Sequence, residues 1–125
     1  MIQKLFNKKS FYFLTTGFIA LVVGLLGGLM DIIQPQNVID TAAVLGYPLY
    51  FFTLLGVFKI LGAVGLFLPK SFHKLKEIVY AGFAIDFIFA SFSHFSVNDP
   101  LVKIIIPLVM LGILAISYYL KDRLN

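Results

Sequence analysis

The residues able to do chemistry in this chain stand where an ionisable side chain is costly. Asp86 lies mid-way along the apolar run Ile78 to Phe95, IVYAGFAIDFIFASFSHF, and His94 lies near its end. Lys59 is central in a second run, Pro48 to Leu68, and Asp31 lies near the end of a third, Phe11 to Ile33. Asp99 follows His94 closely. Ionisable residues inside apolar spans mark buried pairs or functional sites. An ammonium opposite a carboxylate makes an ion pair or grips a polar head group. An imidazole between carboxylates can pass a proton. No catalytic motif accompanies these residues, so no catalytic residue is assigned. His73, the only other histidine, falls in a different connection, and cysteine is absent, so no metal site is expected.

The elements that must hold these groups are four apolar segments, about 11–33, 48–68, 78–95 and 103–120. Each is near the ~20 residues that a helix needs to cross a bilayer. Breaks fall at Gln34-Pro35-Gln36-Asn37, Pro69-Lys70-Ser71 and Val97-Asn98-Asp99-Pro100. Short connections make neighbouring helices antiparallel, so the expected fold is all-α, a single integral membrane four-helix bundle over residues 1–125. The longer connection, Pro35 to Pro48, has room for a short outer helix from about Asn37 to Leu45. Val38, Ile39, Ala42 and Leu45 would form its apolar side and Gly46 its stop. It is expected on the outer surface or over the mouth of the bundle.

Lysine and arginine cluster before the first span (Lys4, Lys8, Lys9), in the second connection (Lys70, Lys74, Lys76) and at the end (Lys121, Arg123). The positive-inside rule then puts both termini in the cytoplasm. The apolar run after Lys9 is too long for the core of a signal peptide, so it is read as a retained span. The expected location is the bacterial cytoplasmic (inner) membrane.

Depth and helical face suggest how the charges meet. Lys59 lies ~15 Å from either end of its span, beyond the reach of a snorkelling lysine. Gly56, Lys59 and Ala63 share a face. Gly82, Asp86, Ala90 and Ser93 share another, with Asp86 ~13 Å deep. Opposite charges at similar depth on small-residue faces predict a Lys59–Asp86 pair. On the first span Gly17, Gly24, Gly28 and Asp31 form a stripe suited to close helix packing. Asp31 and His94 match in depth, which suggests an outer polar cluster of Asp31, His94 and Asp99. Pro107 is placed about one turn inside the last span, where its missing N–H costs little.

Composition agrees with the spans: 60% of residues are hydrophobic and 13% charged, unlike a soluble globule. The net charge of +4 comes without a basic stripe among exposed aromatics, so the basic residues point to anionic lipid and not to nucleic acid. Zero cysteines exclude disulfides and thiol redox chemistry.

Several separate blocks, in order, resemble the DoxX-like family of small four-span membrane proteins. They are Met30-Asp31; Leu45-Gly46-Tyr47-Pro48 with Tyr50; Gly56-x-x-Lys59-x-x-Gly62; Leu75-Lys76-Glu77 followed by Tyr80-Ala81-Gly82; Asp86; and Ser93-His94 with Asp99. A tryptophan usual in the fourth block is replaced by Ile78-Val79. The resemblance implies a place among proteins that include subunits linked to quinone-dependent sulfur oxidation and membrane redox complexes, and also assembly factors. Fold alone does not transfer a reaction.

Two functional readings result. In the first, the chain is a non-catalytic binding or accessory subunit. Lys59, Asp86, Gly56, Gly82 and Ser93 then hold the head of a lipophilic ligand such as a quinone or a lipid, in an enclosed pocket. In the second it is a scaffold or assembly factor with a filled interior and Lys59–Asp86 as a structural pair. Both allow a homodimer or other membrane-protein subunits as partners. An enzyme using Asp31 and His94 as acid and base is a third reading, and proton or ion transfer a fourth.

Overall fold

The computed structural model describes residues 7–123; Lys4 lies outside them. The described chain folds into five main helices, α1 (Lys8–Ile33), α2 (Gln36–Leu45), α3 (Leu49–Leu66), α4 (His73–Ser96) and α5 (Leu101–Leu120), with a 3-10 turn, Lys70–Phe72, leading into α4. All but α2 are long and apolar enough to span a membrane. Three begin earlier than their apolar runs, α5 by two residues and α1 and α4 by a polar turn. The polar turns His73 to Glu77 and Lys8 to Ser10 are helical as well, because a spanning helix need not stop where the hydrocarbon does.

Local chemistry sets the boundaries. Asn7 caps α1 by accepting a hydrogen bond from the Ser10 N–H at 2.8 Å. The helix ends where Gln34 turns left-handed, φ 58°, followed by Pro35 as the N-cap of α2. Gly46, at φ 79°, stops α2 as anticipated, and Pro48 and Pro100 precede α3 and α5. Val38, Ile39 and Leu45 are half-buried and Ala42 is buried, so the apolar side of α2 faces inward. Within α1 the stretch Ile19–Leu26 is wound as a π-helix. In α5, Pro107 sits deeper than anticipated, because the helix starts at Leu101 and not at Lys103. The proline therefore leaves the Lys103 carbonyl without its usual helical partner.

The long helices alternate around a ring. α1 lies against α3 and α5, and α4 lies against the same two. The start of α1, the start of α4 and the end of α5 meet at one face, here the terminal face. There Thr16 and Ser117 share a hydrogen bond, as do Tyr80 and Ser117, and Lys121 reaches Glu77 at 2.9 Å. The core also sits towards this face, built from Ile19, Ala20, Val23, Ala63, Leu66, Tyr80, Phe83, Phe87 and Leu114. α1 leans on α5 along Lys8–Phe18, then crosses to α3 along its later turns. The two helices therefore part towards the α2 face.

Glycine makes the α1–α3 crossing possible. A Cβ on Gly56 would come within 2.5 Å of the Gly28 carbonyl oxygen, and one on Gly28 within 2.8 Å of the Gly56 carbonyl oxygen. Where the solvent is lipid, such backbone proximity replaces the hydrophobic drive that joins helices in water. The outward faces carry Leu21, Leu54, Phe58, Leu61, Ile85, Phe92 and Val109, all exposed. Helices apolar on every side belong in hydrocarbon. Gly56→Val is expected to cost about 1–3 kcal/mol through overpacking. Gly112→Ala, where an added Cβ meets nothing within 4 Å, should cost nothing and gain up to about 1 kcal/mol of helix propensity. Thermal unfolding in detergent, followed by circular dichroism, measures both.

Candidate functional site

Between the diverging helices on the α2 side lies a cavity of about 360 Å³. Val22, Val23 and Gly27 line it from α1, and Ile106, Pro107 and Met110 from α5. Thr41 and Leu45 show that α2 forms part of its wall. Lys59, Asp86, Ser93 and His94 contribute the polar groups, and Phe51, Phe52, Leu55, Phe87 and Phe89 keep most of the rest apolar.

Lys59 does not pair with Asp86. Its Nζ lies 2.9 Å from Oδ2 of Asp31, with side chains only 17% and 10% exposed. The reason is register. Counting from span ends put Asp31 at the outer surface, but the Gly28–Gly56 contact slides α1 so that Asp31 faces Gly56, at 3.1 Å from a Cβ built there. Lys59 is one helical turn from Gly56, within reach of a lysine side chain. Gly27, without a side chain, leaves room beside the ammonium.

Asp86 consequently has neither an ion pair nor a hydrogen bond among the described residues. It lies within electrostatic range of Lys59 and Asp31, half-buried, with its carboxyl on the cavity. Two carboxyl groups thus lie near one ammonium, and only Asp31 is paired with it. The spare carboxyl needs a partner inside an apolar enclosure, because an unpartnered polar group there is costly.

The expected outer cluster is divided. His94 Nδ1 lies 2.6 Å from Oδ2 of Asp99, five positions on, whereas Asp31 is committed to Lys59. With Nδ1 engaged, Nε2 is the nitrogen left for a cavity occupant. Ser93 is buried and shares a hydrogen bond with Tyr47, which joins the turn after α2 to α4. Sequence reasoning gave Tyr47 no role. Its place in the turn Gly46-Tyr47-Pro48, at the mouth of α3, was the available signal.

Two anticipated lining residues are elsewhere. Gly56 is buried in the α1–α3 contact, and Gly82 is exposed with nothing within 4 Å of an added Cβ. The face shared by Gly82 and Asp86 turns outward at its terminal end. Among the described residues no group of three or more His, Asp or Glu side chains is placed to hold a metal ion.

Removing one partner of a buried pair strands the other. Lys59→Met should therefore destabilise the protein by about 3–5 kcal/mol. Adding Asp31→Leu should restore most of that loss, while adding Asp86→Leu should not. A double-mutant cycle on unfolding midpoints reads the difference.

Comparison with curated proteins and with solved structures found no match. The sequence profile described as the DoxX-like family matches residues 14–117, which takes in Asp31, Lys59, Asp86, His94 and Asp99. With four helices able to span a bilayer, the chain is a membrane protein and belongs to the DoxX-like family.

Proposed function

We propose that this protein is a non-catalytic binding or accessory subunit whose cavity holds the polar head of a lipophilic molecule, a quinone or a lipid. The observation that carries this reading is the apolar cavity with unpaired Asp86 beside the Lys59–Asp31 pair. Asp86 and the free His94 Nε2 can meet a hydroxyl or carbonyl on the head group, and Lys59 adds a fixed positive charge. The parting of α1 from α5 leaves a side through which a chain can extend into lipid. An accessory role in a membrane redox complex is compatible with such a ligand. Acid–base catalysis by Asp31 with His94 has less support, since each is committed to a different partner.

A scaffold or assembly function is the second reading. Exposed Gly82 and Gly112 favour it, because outward small residues let another helix, from a second copy or another subunit, come close.

Native mass spectrometry on protein released gently from its own membrane separates the two. The ligand reading expects one retained lipophilic species, lost in Asp86→Leu. An apo mass, alone or with a second polypeptide, would transfer the argument to the scaffold.

The basic residues at the terminal face, against Asp40 and Asp99 on the α2 side, support cytoplasmic termini in the bacterial inner membrane. The absence of cysteine makes this simple to test. An impermeant maleimide should label Asp40→Cys in intact cells, and Lys74→Cys only after lysis. The reverse pattern would invert the topology.

A further inference from the structure

A second unmatched charge lies at the other end of the molecule. Lys76, in the first turns of α4, is 8% exposed, as buried as many core residues. It forms no ion pair among the described residues. Its one hydrogen bond runs to the Tyr12 hydroxyl, at 3.4 Å. The acids of this face are already committed: Glu77 and Asp122 both bind Lys121, at 2.9 and 2.7 Å. The hydrogen bond from the Lys121 ammonium holds the Asp122 carboxyl below the usual carboxylate range, so it stays ionised and occupied there. Lys70 and Lys76 add positive potential at Asp122, and exposed Lys74 adds another cation to the same connection.

Beside Lys76 is a separate cavity of about 120 Å³, lined also by Tyr12, Thr16, Gly17, Leu66 and Phe67. It has room for several water-sized groups. The chemistry of its wall is one-sided. The ammonium has protons to donate, and Tyr12, which accepts from Lys76, keeps its own O–H proton for a second donation. A buried cation among donors, with Asp122 held by Lys121 and no carboxylate in hydrogen-bond contact with it among the described residues, is a site for an anion.

We propose that the Lys76–Tyr12 cavity binds a phosphate-type oxyanion, carried by an anionic lipid head group or free in solution. Lys76 donates a charge-assisted hydrogen bond and Tyr12 a neutral one. Gly17 keeps the space open, since a Cβ there meets nothing within 4 Å. The position, at the first turns of α4 beside the basic connection, suits a head group at the edge of a bilayer spanned by the four apolar helices.

The test is native mass spectrometry of delipidated protein titrated with phosphatidylglycerol, with diacylglycerol as the phosphate-free control. One phosphatidylglycerol should bind, and diacylglycerol should not. Lys76→Met should weaken binding about tenfold or more, the loss of a charge-assisted hydrogen bond. Lys76→Arg and Lys74→Met should retain it. Gly17→Leu fills the cavity without touching the lysine and should also abolish binding, which keeps the test decisive if Lys76→Met fails to fold. Inorganic phosphate that binds alone with the same dependence on Lys76 and Gly17 would name a free anion as the occupant and support the site. The proposal is overturned if Lys74→Met weakens binding as much as Lys76→Met, if Gly17→Leu binds like the parent protein, or if diacylglycerol binds equally well.

Discussion

The ion pair between Lys59 and Asp31 is the interaction on which the rest of this structure depends. Lys59 lies at the middle of its apolar span and Asp31, near the end of its own, is buried against the neighbouring helix, so neither group can be left alone. Their meeting requires α1 and α3 to approach until Gly28 and Gly56 touch backbone to backbone. The pair and the glycines are one device: the glycines set the distance, and the charges set the register. A buried pair adds little net stability over an apolar filling, but a shifted register would strand both charges. That penalty makes one alignment of α1 on α3 far better than its neighbours.

Fixing that alignment has a consequence on the other side. α1 crosses towards α3 in its later turns and so leaves α5, while Pro107 interrupts the hydrogen bonding of α5 at the same level. The molecule is filled at its terminal half, apart from the small cavity beside Lys76, and hollow at its α2 half. In the filled half, Phe83 presses its ring against Gly62, and the hydroxyls of Thr16, Ser117 and Tyr80 form a buried chain linking three helices. Tyr47 and Ser93 provide a tie across the hollow half, where α2 adds part of the wall. A scaffold that acts only through its outer surface has no need of such a cavity, whereas a binding protein does.

Much of this was legible in the sequence and some was not, for reasons that can be stated. Span number, the α2 helix and the stop at Gly46 depend on local composition and turn chemistry, and a single sequence carries both. The Gly24 and Gly28 packing face was legible too, since helical periodicity alone puts those residues in one row. Asp31 and Lys59 were recognised as out of place, but their union was missed. Pairing depends on the vertical offset between helices, which is a tertiary quantity, and depth measured from an apolar run errs by about a turn when polar helical turns extend it. The Thr16–Ser117–Tyr80 chain was invisible for a related reason. Its members lie far apart in sequence and look individually like ordinary hydroxyls.

The same electrostatic accounting links the two ends of the molecule. Each end keeps one ionisable group that has no ion pair among the described residues: Asp86 at the cavity on the α2 side and Lys76 at the terminal face. Both stand next to a matched pair or triad that consumes the nearest opposite charges, Lys59 with Asp31 in one case and Lys121 with Glu77 and Asp122 in the other. A chain under selection for stability alone could remove either excess by a single neutral substitution. Keeping each excess buried beside space, instead of filling the space or exposing the charge, is costly unless something from outside the chain completes it. The signs then dictate what completes each site: a proton or hydrogen-bond donor at Asp86, and an oxyanion at Lys76.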